Sequence, residues 1–174
     1  MGTGPRPTTV KSQPALATIG VYGFTSDSFL EALHDARVRR VLDVRQRRGV
    51  RGRQYAWANS VRLQQALRGA GIAYEHHKEL APTTELRELQ YREDARQCVG
   101  KRSRVELAPE YREHYLCEIL DRVDPTPLVA SLPTDGVTAL FCVERDPEAC
   151  HRSLIAQRLT EEHHVPVTHL RPPR

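Results

Sequence analysis

The chain has 174 residues, 39% hydrophobic and 28% charged, with a formal net charge of +4 and a pI near 9.0. These values fit a soluble globular protein of one domain with a core of its own. No apolar run approaches the roughly 18 residues of a membrane span, no signal-peptide stretch opens the chain, and four cysteines in no regular spacing argue against a disulfide framework, so a cytoplasmic protein without a membrane partner is expected.

Residues 1–16, rich in Pro, Gly and Thr, read as a flexible arm, and residues 17–171 as a single α/β domain. The apolar segment 17–22 predicts a first buried strand. "TSDSFLEALHDA" follows with a Thr or Ser cap and apolar residues Phe29, Leu30 and Leu33 at helical spacing. "VRRVLDVR" is a second strand, and the length of the crossover implies a parallel βαβ unit. Asn59 is placed to cap a helix running through Leu63 and Leu67 to a stop at Gly71. A short third strand at 72–77 precedes two polar helices, 84–97 and 109–123, the second with Tyr111, Tyr115, Ile119 and Leu120 on one face. "VTALFC" is a fourth, buried strand and "VPVTHL" the last. Such alternation predicts an open, mainly parallel sheet with helices on both faces.

Open parallel sheets hold ligands at the carboxyl ends of their strands. Here the second strand ends in Asp43-Val44-Arg45 and the fourth in Cys142-Val143-Glu144. Asp146, Pro147 and Glu148 carry the signals of a helix start. That helix opens on Cys150, His151 and Arg152, and Leu154, Ile155 and Leu159 form its packing stripe. Each polar residue has a structural reading: core cysteine, backbone-bonded histidine, strand-end ion pair. Their convergence on the predicted ligand edge favours a pocket. The stretch "RQRRGVRGRQYAWANS" adds Arg45, Arg47, Arg48, Arg51 and Arg53 around two glycines, then Tyr55 and Trp57, and "GKRSR" adds Lys101, Arg102 and Arg104. Arginines on a flexible loop suit phosphates, and adjacent aromatics suit stacking on bases.

The stretches "TIGVYGFTSDSFLEAL", "RRVLDVR", "LRGAGIAYEHHKELAPT" and "LFCVERDPEACHRSLIAQRL" resemble, in order, the family called domain of unknown function 488 (DUF488). Cys-x-Glu followed by Cys-His-Arg-Ser is the most specific of these motifs. The resemblance implies the α/β domain and no particular activity. Where members of the family often carry TIGH or TIGY, this chain has Gly20-Val21-Tyr22, so no role for a histidine there carries over.

Three functions remain open at this point. In the first, the protein binds or processes nucleic acid or a nucleotide: Arg45, Arg47, Arg48, Arg51, Arg53, Tyr55, Trp57 and Arg152 hold the phosphates and bases, and Asp43, Glu144 and His151 are the catalytic group. Two carboxylates beside an arginine and a histidine suit a hydrolase or glycosylase, without demanding one. In the second, Cys142 or Cys150 works as a thiol, in an outline similar to the rhodanese sulfurtransferases, although the three acids of "VERDPEA" oppose a thiolate. In the third, Cys142, Cys150 and His151, with Glu144 as an optional fourth donor, hold a metal, against which stand the lack of a Cys-x-x-Cys pair and the adjacency of Cys150 and His151. No other cofactor is expected, and the sequence leaves the oligomeric state open.

Overall fold

The computed structural model describes residues 13–173. Five parallel strands form its sheet: β1 (Ala15–Ile19), β2 (Val38–Asp43), β3 (Ala73–His76), β4 (Val137–Phe141) and β5 (Val167–His169), in spatial order β3-β2-β4-β1-β5. The α-helices among the described residues are α1 (Ser26–Asp35), α2 (Ser60–Gly69), α3 (Thr84–Arg96), α4 (Pro109–Glu118), α5 (Thr126–Ala130) and α6 (His151–His163). No helix among the described residues is long and apolar enough to cross a membrane.

β4 is almost wholly apolar and β2 is buried from Val41 to Asp43, because both faces of the central sheet are covered. Moving outward from β1 to β2 and β3, the chain passes through α1 and α2; moving back to β4 and on to β5, it passes through α3, α4 and α6. Right-handed crossovers therefore put α1 and α2 on one face and α4 and α6 on the other. Packing agrees. Phe141 of β4 meets Phe29 of α1 edge-on with centroids 5.4 Å apart, while its neighbour Cys142 faces His151 of α6.

Local signals account for much of this. Thr25 and Ser28 form a capping box at the start of α1, each hydroxyl accepting from the other's backbone N–H. α2 stops as expected at Gly71, whose φ of +69° lets the Ile72 amide reach back to the Leu67 carbonyl at 2.9 Å.

Four expectations are corrected. Residues 1–12 of the expected arm lie outside the described residues, whereas Ala15 and Leu16 belong to β1, paired with Val137 and Thr138 of β4. Asn59 occupies the position before α2, but its side chain accepts from the Val50 amide at 2.7 Å and caps nothing. The region after β2 is not all loop: Arg53–Ala58 winds into a 3₁₀ segment. The helix expected from Asp146 begins only at His151, because Pro147–Ala149 closes a separate 3₁₀ turn and Cys150 then extends, with φ −142° and ψ 139°. Asp146 turns instead to Arg171, 2.9 Å away.

Candidate functional site

Asp43 and Ile19 both stand opposite Phe141, so β2, β4 and β1 end at one level. The chain leaves β2 toward α2 and β4 toward α6, on opposite faces, which makes the crevice between them a topological switch point. A cavity of about 480 Å³ opens there. Segment 44–52 supplies Arg47 and Arg51 to its wall, α3 supplies Arg87 and Tyr91, and the segment before α4 supplies Lys101 and Arg104. Cys142, Glu144, Cys150 and His151 form the floor, with Tyr22 and Tyr111 beside them.

Glu144 is the only carboxylate lining the cavity among the described residues. Its Oε1 lies 3.6 Å from Lys101 Nζ and 3.9 Å from Arg104 Nη1, and Arg104 is itself paired with the buried Asp94. Burial pushes the Glu144 carboxyl up and Cys150 adds to this, while Lys101, Arg104 and His151 pull it back without cancelling the rise. Arg87 donates to Gln46 Oε1 at 2.5 Å and to the Tyr91 hydroxyl at 2.9 Å. Arg102 lies over the rings of Tyr22 and Tyr55, at 5.4 and 5.5 Å from their centroids, and donates to the Arg51 carbonyl. The two basic segments of the sequence are thereby tied together.

Beside Glu144, Cys142 Sγ is 3.6 Å from Glu144 Oε2. His151 Nδ1 lies 3.9 Å from each of Cys142 Sγ and Cys150 Sγ, and His151 Nε2 lies 2.9 Å from the Val44 carbonyl. A carbonyl only accepts, so Nε2 carries hydrogen and Nδ1 is the atom turned to the sulfurs. Burial pushes the Cys142 thiol well above its usual range, reinforced by Cys150 and Glu144. Burial also opposes ionisation of Cys150, yet the hydrogen bond from Cys142 and the charges of Arg152 and His151 outweigh it and hold Cys150 well below the usual thiol range.

The structure divides the remaining expected site residues between the cavity and its surroundings. Asp43 does not line the cavity. In register with Phe141, it faces the α1 side of the sheet, whereas Cys142, one residue on, faces α6. Its carboxylate accepts from Arg45 Nε at 2.8 Å, Arg45 Nη2 at 2.7 Å and the Tyr74 hydroxyl at 2.7 Å. Arg45, expected on an exposed loop, borders the cavity but is only 2% exposed; its guanidinium lies over the Phe141 ring, with Nη1 bonded to the Ala58 carbonyl. Arg47 and Arg51 are exposed at the cavity wall as expected; Arg53 is exposed away from it, and Arg48 turns to Tyr74. Tyr55 packs on Tyr22 and Arg102, and Trp57 on Phe29, so neither lines the cavity. Arg152 is fully buried and donates to the Glu144 and Arg145 carbonyls, fixing the turn rather than a ligand. Arg87 and Tyr91 were not anticipated; their spacing of four on a helix was the available signal.

The fold is a parallel α/β domain with a cationic cavity at its switch point, an architecture that hosts many chemistries. The family model described as Domain of unknown function DUF488 matches residues 25–159, most of the chain, and the chain belongs to that family. Neither the curated proteins nor the solved structures contain a match.

Proposed function

We propose that the protein binds a nucleotide or a nucleic-acid strand through its phosphates in the strand-end cavity, with the base or sugar held against Glu144. The observation that carries this reading is the charge of the wall: Arg47, Arg51, Arg87 and Lys101 face one cavity whose single acid among the described residues is Glu144. Such a wall attracts anions and orients planar phosphate contacts. Tyr22 and Tyr91 supply ring surface beside it. Glu144, raised by burial and set among cations, is the group placed for acid–base work. A glycosidase-like pair of carboxylates is not part of this reading, because Asp43 lies on the other side of the sheet.

The test is fluorescence anisotropy with a labelled single-stranded oligonucleotide across a salt series, with mononucleotides as competitors. Binding is expected to weaken steeply with salt, by counterion release. Replacing Arg47 and Arg51 together with alanine is expected to lower the log–log salt slope by about 1.4, at roughly 0.7 for each single-strand phosphate contact. The loss is expected to be alike for all sequences, since phosphate contacts position rather than specify. Competition by mononucleotides at comparable affinity would make the free nucleotide the ligand. Absence of binding by either ligand at low salt would overturn the proposal.

A further inference from the structure

We infer that Cys142, Cys150 and His151 bind one divalent transition-metal ion of the zinc type, with a fourth position open to the cavity. Their donor atoms all lie within 4.8 Å of one another. At Zn–S and Zn–N bond lengths of about 2.3 and 2.05 Å, a tetrahedral ion needs its sulfur and nitrogen about 3.6 Å apart. Both sulfurs lie 3.9 Å from Nδ1, so a few tenths of an ångström of closure brings each sulfur–nitrogen pair to that separation.

The orientation of the imidazole supports this independently of the distances. Histidines that ligate metals characteristically donate their second ring N–H to a carbonyl or carboxylate, which fixes the tautomer. His151 does this with Val44, and the ring of Tyr115, centred 5.4 Å away, packs against it. The adjacency of Cys150 and His151, an objection for residues in one helix, is removed by the backbone. Cys150 is extended and His151 is the first residue of α6, so the two side chains fold back toward a common point.

Charge and donor type set the ion. Two thiolates and an imidazole select zinc, or another metal that accepts soft ligands, over magnesium or calcium. A dication neutralises two thiolates at positions where Cys142 is 4% and Cys150 1% exposed, and where isolated charge is costly. Binding releases the thiol protons to solvent. Three protein ligands with a fourth place left to water or to a cavity ligand is the arrangement of reactive rather than structural zinc sites. Glu144 borders that place through its 3.6 Å contact with Cys142.

Reduced protein, stripped with a chelator and titrated with Co²⁺, tests this without any nucleic acid, so it succeeds or fails separately from oligonucleotide binding. Saturation at one equivalent is expected, with thiolate-to-cobalt charge-transfer absorption and intense tetrahedral d–d bands that zinc abolishes. Cys150→Ser and His151→Ala are expected to lose the bands, whereas Cys98→Ser and Cys117→Ser, at exposed cysteines, keep them. If the core variants fail to fold, zinc-edge X-ray absorption of the unaltered zinc-loaded protein decides, with two sulfur scatterers expected. A shell of nitrogen and oxygen alone, bands that persist in folded Cys142→Ser/Cys150→Ser, or reduced protein that takes up no cobalt would each overturn the inference. The last result would leave a bare thiol–imidazole pair.

Discussion

Asp43→Asn is expected to destabilise the fold by about 3–5 kcal/mol, the usual consequence of leaving one member of a buried ion pair alone. The substitution keeps the shape and removes the charge. Arg45, 2% exposed, then keeps one bond, to the amide oxygen, and meets the amide nitrogen donor against donor, its charge left without a counter-charge. The hydrogen bond to Ala58 also holds the entry to α2, so the loss reaches the segment that carries Arg47 and Arg51. In urea, with a slope of about 2 kcal/mol per molar, the midpoint falls by roughly 2 M. Asp43→Asn combined with Arg45→Met is expected to recover much of the loss, because the orphan charge is gone. An unchanged midpoint in the single variant would show that the pair is not what holds this strand end.

Gly20→Ala is expected to be the other severe change. A Cβ on Gly20 would lie 1.9 Å from the Glu144 carbonyl oxygen and 2.9 Å from its carbon, both backbone atoms that have no rotamer to escape into. Relief requires the turn after β4 to withdraw from β1. That movement breaks the 2.8 Å bond from Arg152 Nη1 to the same carbonyl and leaves a fully buried guanidinium short of an acceptor. Overpacking and a lost charge-assisted bond together cost about 3 kcal/mol or more. A domain of this size then melts roughly 10 °C lower. Because Glu144 moves with its carbonyl, oligonucleotide binding is expected to weaken even where the variant remains folded. A melting temperature within about 2 °C of the unaltered protein would refute the close approach of these two strands.

Both changes act where strands meet, and there the sequence was least informative. The alternation of apolar and helical segments was legible, because a strand buried on both faces and an amphipathic helix leave different periods in the chain. The capping box at Thr25 and the stop at Gly71 were legible for the same reason: they are local. The crowding of cysteine, glutamate, histidine and arginine at 142–152 was visible too, and Cys142, Glu144, Cys150 and His151 do share the cavity floor.

What residues alone determined is therefore the alternating α/β plan, the parallel crossovers, and the two segments that bring cation and thiol to the strand ends. Which of these polar groups meet was decided by tertiary structure. Parallel pairing of β2 with β4 sets Asp43 opposite Phe141 rather than Cys142, and a single residue of register sends a side chain to the other face. Asp43 and Arg45 thus become a buried pair on the α1 side, although in sequence they read like the start of an exposed arginine loop. Likewise, Cys150 is extended immediately before α6 begins at His151, and this change of backbone direction points two neighbouring side chains at one spot. Neither outcome depends on local propensity. Each follows from where a distant strand or turn fixes the backbone, a constraint supplied by packing and by long-range hydrogen bonds that residue order does not carry.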